Sequence, residues 1–295
     1  MLIKQLIPFI FLILSITLTG FNVQAEHPAY KVNPVVSHPE VWKNRVLAEN
    51  PISPLDTAIN IKYAGKRLIW AEEFNADGAP NPSNWVYDLG NGSWGWGNNE
   101  LENYTSRPEN VIVQGGLLKI RAARETYKGS AFTSARIKSQ NKFEFKYGRV
   151  DVSAKLPKGA GTWPAIWMLG SNIGKVDWPA CGEIDIMEHK GSELNKIYGT
   201  LHYPGRSGGN ADEGTRTISD ATTAFHTYSL DWSDKFICIY VDDQLVNKVA
   251  NSETGSFNHN FFLILNLAMG GTFGGPVDSE FNEATLEVDY IRVYQ

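Results

Sequence analysis

The chain has 295 residues, 42% of them hydrophobic and 20% charged, with a formal net charge of −5 at pH 7. That length suffices for one large core, and β-sandwich domains often run to roughly 200–250 residues as a single unit. A mildly acidic chain with no cluster of Lys and Arg excludes nucleic acid as a partner and favours a neutral or weakly polar ligand.

The N-terminus carries Lys4, an apolar run from Leu6 to Leu18, then small and polar residues up to Val23-Gln24-Ala25. This is the pattern of a signal peptide over 1–25, cut after Ala25. The apolar run is shorter than the ~20 residues that span a bilayer, and no cysteine stands near the cut to carry a lipid. A secreted or periplasmic protein, with no membrane contact after signal removal, is expected. Residues 26–62 hold Pro28, Pro34, Pro39, Pro51 and Pro54 with no sustained periodicity, and read as an irregular leader. The rest, 63–295, reads as one catalytic domain, expected to be monomeric.

From residue 67 onward come short runs rich in β-branched and aromatic residues, separated by Gly, Asn, Asp and Pro. They predict strands at 67–70, 111–113, 117–122, 143–154, 162–169, 183–189, 196–202, 225–232, 236–241, 261–267 and 284–293. Their number and spacing indicate an all-β sandwich of two antiparallel sheets, since no long 3.6-residue period argues for helices. Two cysteines, Cys181 and Cys238, are read as free buried thiols in preference to a bridge.

Glu183-Ile184-Asp185-Ile186-Met187-Glu188 is the stretch that demands a chemical reason, because it places three acids on a strand with an apolar opposite face. Alternation puts Glu183 and Asp185 on one face and would send Glu188 to the other. A β-bulge near Ile186-Met187, with Met187 as the extra residue, returns Glu188 to the acidic face. The two glutamates then stand about four pleats apart, roughly 13 Å between Cα atoms, and their side chains can close to a carboxyl separation of about 5–6 Å, the spacing of retaining glycosidases. Flat aromatic surfaces lie nearby. Trp163 and Trp167 are four apart and share a strand face, and Trp178 sits in the loop entering the acidic strand. Sugar rings stack on such surfaces, although a tryptophan in a sandwich is as readily a core residue. Asn98 lies in the Gly- and Asn-rich stretch 90–99, a loop that could cap one end of a cleft.

Taken with Gly161-Thr162-Trp163-Pro164-Ala165-Ile166-Trp167, Trp96-Gly97-Asn98-Asn99-Glu100-Leu101, Ser134-Ala135-Arg136-Ile137, Asn266-Leu267-Ala268-Met269-Gly270-Gly271 and Val288-Asp289-Tyr290-Ile291-Arg292-Val293-Tyr294, the acidic motif resembles glycoside hydrolase family 16 and its bacterial laminarinases over roughly residues 63–295. The resemblance implies a concanavalin-like β-jelly roll with an open substrate cleft and an endo-acting retaining hydrolysis of β-1,3-glucan, a polysaccharide substrate. Glu183 would be the nucleophile, Glu188 the acid and base, and Asp185 the residue between them that orients and couples the pair. It further implies that Arg136 lies near the nucleophile, where a surface ion pair is the alternative, and that His202 lies on the leaving-group side, where a structural histidine is the alternative. No cofactor is implied for catalysis. A structural calcium held by Glu73, the Gly116 carbonyl and Asp289 is implied at a distance from the cleft. Same-fold hydrolases of mixed-linkage β-glucan, agar or carrageenan, and a non-catalytic β-glucan-binding domain, are the alternative readings.

Overall fold

A computed structural model describes Tyr63, residues 65–252 and residues 255–295; the expected signal peptide and leader lie outside the described residues. Seventeen strands follow in chain order: β1 (Leu68–Glu72), β2 (Val86–Asp88), β3 (Glu102–Tyr104), β4 (Val111–Gln114), β5 (Leu117–Tyr127), β6 (Ser130–Ser134), β7 (Arg136–Lys138), β8 (Gly148–Lys155), β9 (Thr162–Gly170), β10 (Glu183–His189), β11 (Lys196–His202), β12 (Asp212–Thr217), β13 (His226–Trp232), β14 (Phe236–Val241), β15 (Gln244–Ala250), β16 (Phe261–Met269) and β17 (Glu283–Tyr294). They form two sheets. One has seven strands in the order β12-β11-β10-β9-β16-β7-β2, and the other has ten, ordered β15-β14-β13-β8-β17-β5-β6-β3 with β1 also on β17 and β4 on β5.

The sandwich expectation is met, with one departure: β3 and β6 pair in parallel within the otherwise antiparallel ten-stranded sheet. The core fills the space between the sheets. From the seven-stranded sheet come Ile166, Met168, Ile184, Leu263, Leu265 and Leu267, and from the other Leu118, Ile120, Val150, Val152, Leu286 and Ile291, all essentially without solvent contact. Trp85 and Trp232 are buried in it and Trp70 packs against its edge, stacked on Phe143, so these tryptophans serve packing. The predicted strand 143–154 begins only at Gly148, because the preceding segment turns away after the single bridge Phe145–Phe261.

The bulge in β10 is real and its extra residue is Ile186. Along β9, Asp185 faces Trp167 and Met187 faces Ile166, leaving Ile186 without a partner; along β11, Asp185 faces Thr200 and Glu188 faces Tyr198. Met187 therefore keeps its place in the ladder with β9, contrary to the expectation that it is the inserted residue. Ile186 and Met187 are both fully buried in the core, and burying two successive apolar side chains on one side is what turns Glu188 outward.

Cys181 and Cys238 are free and buried. They cannot be a pair of neighbours on one sheet, since Cys238 lies on β14 and Cys181 enters β10. Of the residues expected to hold calcium, Glu73 is already engaged. Glu73 is gripped through both carboxylate oxygens by the Arg292 guanidinium at 2.7 and 2.9 Å. Asp289 is exposed and accepts only a long hydrogen bond, 3.4 Å, from the Ser153 hydroxyl. Arg292 and Glu73 fasten the last strand to the segment after the first.

Deleting Ile186 should leave Glu183, Asp185 and Glu188 on one face of a regular ladder while removing one core side chain. The expected product is folded but less stable by about 2–5 kcal/mol, the usual cost of removing a buried side chain of this size. Denaturant unfolding checks this; a deletion that costs nothing would mean that Ile186 does not fill the core.

Candidate active site

Strand alternation, corrected by the bulge, sets three acids of β10 on the outer face of the seven-stranded sheet. Gly182 introduces the strand with φ +77°, and a Cβ there would stand 2.5 Å from the Ser256 carbonyl oxygen, so the entry to Glu183 requires glycine. Ladder pairing then aligns functional residues in rows. Glu183 faces His202 on β11 and Leu169 on β9; Asp185 faces Thr200 and Trp167; Glu188 faces Tyr198 and Ala165. The four steps from Leu169 to Ala165 reproduce the four-pleat separation of the two glutamates. All of these side chains except Leu169 and Tyr198 line a cleft of about 650 Å³ that also takes in Trp96, Asn98, Arg136, Trp178, Asn266 and Phe273.

Each glutamate receives an indole N–H. Trp178 Nε1 donates to Glu183 Oε2 at 2.9 Å, and Trp163 Nε1 donates to Glu188 Oε1, also at 2.9 Å. The Thr200 hydroxyl donates to Glu188 Oε2 at 3.3 Å. His202 Nε2 stands 3.3 Å from Asp185 Oδ2 and 3.7 Å from Glu183 Oε1. Its other nitrogen, Nδ1, accepts the Gly208 backbone N–H at 3.1 Å, which leaves Nε2 facing the acids; Asp185 Oδ2 nonetheless has no hydrogen-bond donor among the described residues. His202 stands opposite Glu183 in the ladder.

Burial dominates the electrostatics. It pushes Glu183 up to about 8, reinforced by the charge of Asp185 and opposed by His202 and by the Trp178 N–H. Glu188 is likewise raised to about 8 by burial and then by Asp185, opposed by the Trp163 N–H. Asp185, only 4% exposed, is raised well above the carboxylate range by burial. Three acids this close cannot all ionise; a charge on one holds the proton on the others, and their titrations belong to the cluster.

The tryptophans divide by role. Trp163 and Trp167 are half-buried on the cleft face, Trp163 beside Phe273 with ring centroids 5.2 Å apart and Trp167 donating from Nε1 to Asn266 Oδ1 at 2.8 Å. Trp178 is 45% exposed while bound to Glu183, so it presents an open indole surface and at the same time donates a hydrogen bond to an acid. Arg136 does not reach Glu183. It sits on β7, in the row of Glu188 but with β16 and β9 between, pairs with Asp88 at 3.0 Å, and lies between the rings of Trp96 and Trp167 at 4.9 and 4.8 Å. Its role is to join two aromatic side chains. Asn98 donates to Glu100 at 3.0 Å at the same end of the cleft.

Trp96, Asn266, Thr200 and Phe273 were not singled out by the sequence reading. Trp96 and Asn266 stand inside motifs that carried the resemblance, but only the fold brings them across the sheet to Trp167. A second cavity of about 650 Å³ beside Lys66, Tyr147 and Phe236 contains Asp231, whose carboxylate is already held by Lys66 and Arg149; it offers no comparable set of converging acids.

Comparison with known proteins agrees with this geometry. The family model described as glycosyl hydrolases family 16 matches residues 98–292, and a second, described as beta-glucan synthesis-associated protein SKN1/KRE6/Sbg1, matches residues 1–184, ending before Asp185 and Glu188. The chain is 42% identical over 244 residues to a beta-glucanase of Rhodothermus marinus, covering 77% of this chain and 85% of that protein. It is 37% identical to a glucan endo-1,3-beta-glucosidase of Cryptopygus antarcticus, covering 76% and 90%. The solved catalytic domain of an endo-1,3-beta-glucanase (laminarinase) from Thermotoga petrophila superposes with a TM-score of 0.73 at 42% identity, covering 78% of this chain and 98% of that one. The jelly-roll sandwich, the cleft across its seven-stranded sheet and these matches place the chain in glycosyl hydrolase family 16, as an endo-glycosidase.

Proposed function

We propose that the protein is a secreted or periplasmic enzyme that cleaves β-1,3-glucan internally by retaining double displacement. The observation that carries this reading is the pair Glu183 and Glu188 on one face of β10, separated by four ladder positions and bridged by Asp185. Similarity to proteins named as endo-1,3-beta-glucosidases and laminarinases supports the substrate. The apolar N-terminal run ending at Ala25 supports export. Family 16 chemistry requires no cofactor, and no metal enters the steps below.

Glu183 attacks the anomeric carbon as a carboxylate, forming a glycosyl-enzyme ester as the bond to the departing oxygen breaks. The N–H of Trp178 stabilises its negative charge before attack. Glu188, kept protonated by burial and by its acidic neighbour, gives its proton to that oxygen. It then takes a proton from the water that hydrolyses the ester. The reactive form of the coupled cluster is the one with Glu183 ionised and the proton on Glu188; Asp185, raised by burial, takes part in that titration. The open cleft admits a chain along its length, which is what internal cleavage needs.

Glu183→Gln should leave a folded protein that binds laminari-oligosaccharides yet loses kcat by several orders of magnitude; near-normal turnover would overturn the nucleophile assignment. Side-by-side reducing-end assays on laminarin, lichenan, agarose and carrageenan decide the substrate, with laminarin expected to lead.

Glu188→Ala should be slow on polysaccharide but much less impaired on an activated aryl β-glycoside, which leaves without a proton. Azide should restore turnover and yield a β-configured glycosyl azide. Equal losses on both substrates with no rescue would remove Glu188 from the acid and base role.

The raised carboxyls also set a pH dependence of stability. In the unfolded chain these glutamates ionise near pH 4.3, roughly, whereas in the folded cluster, which titrates as a unit, burial pushes Glu183 and Glu188 up to about 8. The native state therefore binds more protons across that window, and its stability falls as pH rises through it. Glu183→Gln does not titrate, so its Tm should gain on wild type between pH 4 and pH 8, at about 2–4 °C per kcal/mol for a domain of this size. A Tm difference that does not change with pH would show that Glu183 is already ionised throughout.

A further inference from the structure

The turn Gly95–Asn99, which brings Trp96 and Asn98 to one end of the cleft, is built against backbone preference. Trp94, Trp96 and Asn99 adopt φ of 55, 52 and 58°, in the left-handed region, at a cost of order 1 kcal/mol or more each. Gly95 is left-handed as well, and a Cβ there would lie 2.4 Å from the Glu100 nitrogen. Such a conformation persists only where its surroundings over-determine it.

Glu100 supplies much of that determination. Its Oε1 accepts from Asn98 Nδ2 and its Oε2 from the Tyr104 hydroxyl, each at 3.0 Å. The same hydroxyl accepts from Asn266 Nδ2 at 3.1 Å, and Asn266 Oδ1 accepts from Trp167 Nε1 at 2.8 Å. Tyr104 also packs against Trp96, ring centroids 5.7 Å apart. Glu100 is thus the knot between the turn and the Trp167 side of the cleft.

Behind Glu100 lies Glu102, wholly buried on β3. Its Oε2 accepts the Met269 backbone N–H at 2.6 Å, while its Oε1 has no donor from the chain. The guanidinium of Arg136, near Tyr104, is paired with Asp88. A buried, unpaired carboxylate next to a second acid is costly, and a proton on Oε1 removes the cost by making a donor where none is available. Burial and the charge and hydrogen bond of Glu100 accordingly push Glu102 well above the carboxylate range.

We propose that Glu100 and Glu102 share one proton, and that this acid pair is a positioning device that holds Trp96 and Asn98 over the cleft, so that a sugar ring beside Trp167 is gripped by a preformed site. It rests on the reading of the cleft as a β-glucan site. Neither acid is a catalytic residue, since each acts through the side chains it anchors.

Glu102→Gln keeps a donor in the place of the proton, and Glu102→Leu removes it. On laminarin, Glu102→Gln should stay within about twofold of wild type in KM and kcat, whereas Glu102→Leu should raise KM by about tenfold with a smaller change in kcat, because ground-state and transition-state binding are lost together. Damage by Glu102→Gln equal to that by Glu102→Leu, or a loss confined to kcat, would overturn the proposal. The infrared difference between wild type and Glu102→Gln should contain the carbonyl stretch of one protonated carboxyl; its absence overturns the shared proton even if Glu102→Leu does not fold. This spectrum needs no substrate. A wild type inert on laminarin would instead sink the glucan reading and leave the proton-sharing result standing.

Discussion

Two successive apolar side chains, Ile186 and Met187, are buried on the same side of β10, and the site depends on that packing. A strand has a side-chain period of two, so acids at positions 183, 185 and 188 cannot share a face without an inserted residue. The insertion is stable because the core accepts both apolar groups, at roughly 1.5–3 kcal/mol of burial each. Hydrophobic packing beneath the sheet thereby aims a carboxyl group above it. The same device keeps Glu188 in the row of Ala165 and Tyr198, one small and one flanking neighbour, which leaves space over the acid for a substrate.

Placing three carboxyl groups together is electrostatically expensive, and the surrounding donors show how the cost is controlled. No lysine or arginine pairs with Glu183, Asp185 or Glu188 among the described residues; neutral donors from Trp178, Trp163 and Thr200 serve the two glutamates instead. A fixed cation would pull all three acids toward ionisation and leave no proton to transfer. Neutral N–H and O–H groups steady a charge without abolishing the acid form. The cations near the cleft are placed elsewhere: Arg136 is spent on Asp88 and on two aromatic rings.

The cleft is supported from outside the catalytic strand at both ends of the chain's order. Residues 95–104 close one end through a strained turn tied to the half-buried Glu100, with the buried Glu102 behind it, while Arg292 and Glu73 lock the final strand to the first. Aromatic side chains bound to carboxyl or amide groups recur through the site. An indole fixed by a hydrogen bond presents a flat face to a sugar without losing side-chain freedom on binding, which favours affinity through preorganisation.

The sequence alone determined the sandwich, the acidic face and the need for a bulge, because these follow from local period and from the cost of burying charge. Long strands such as β9, β10 and β16 carry enough residues to display their pattern. The three-residue strands β2, β3 and β7 do not, and the largely exposed β12 and β15 lack an apolar face, so they passed unread. Which residue of the bulge is the insertion was not legible either, since Ile186 and Met187 are equally apolar and only the partner strand distinguishes them. The tertiary structure alone decided that Arg136 serves Asp88 and the tryptophans, that His202 stands beside Glu183, that Arg292 claims Glu73, and that Glu102 lies against Glu100 without a cation. Each of these is a contact between residues brought together by strand order, which depends on how the whole core packs and leaves no local trace in the chain.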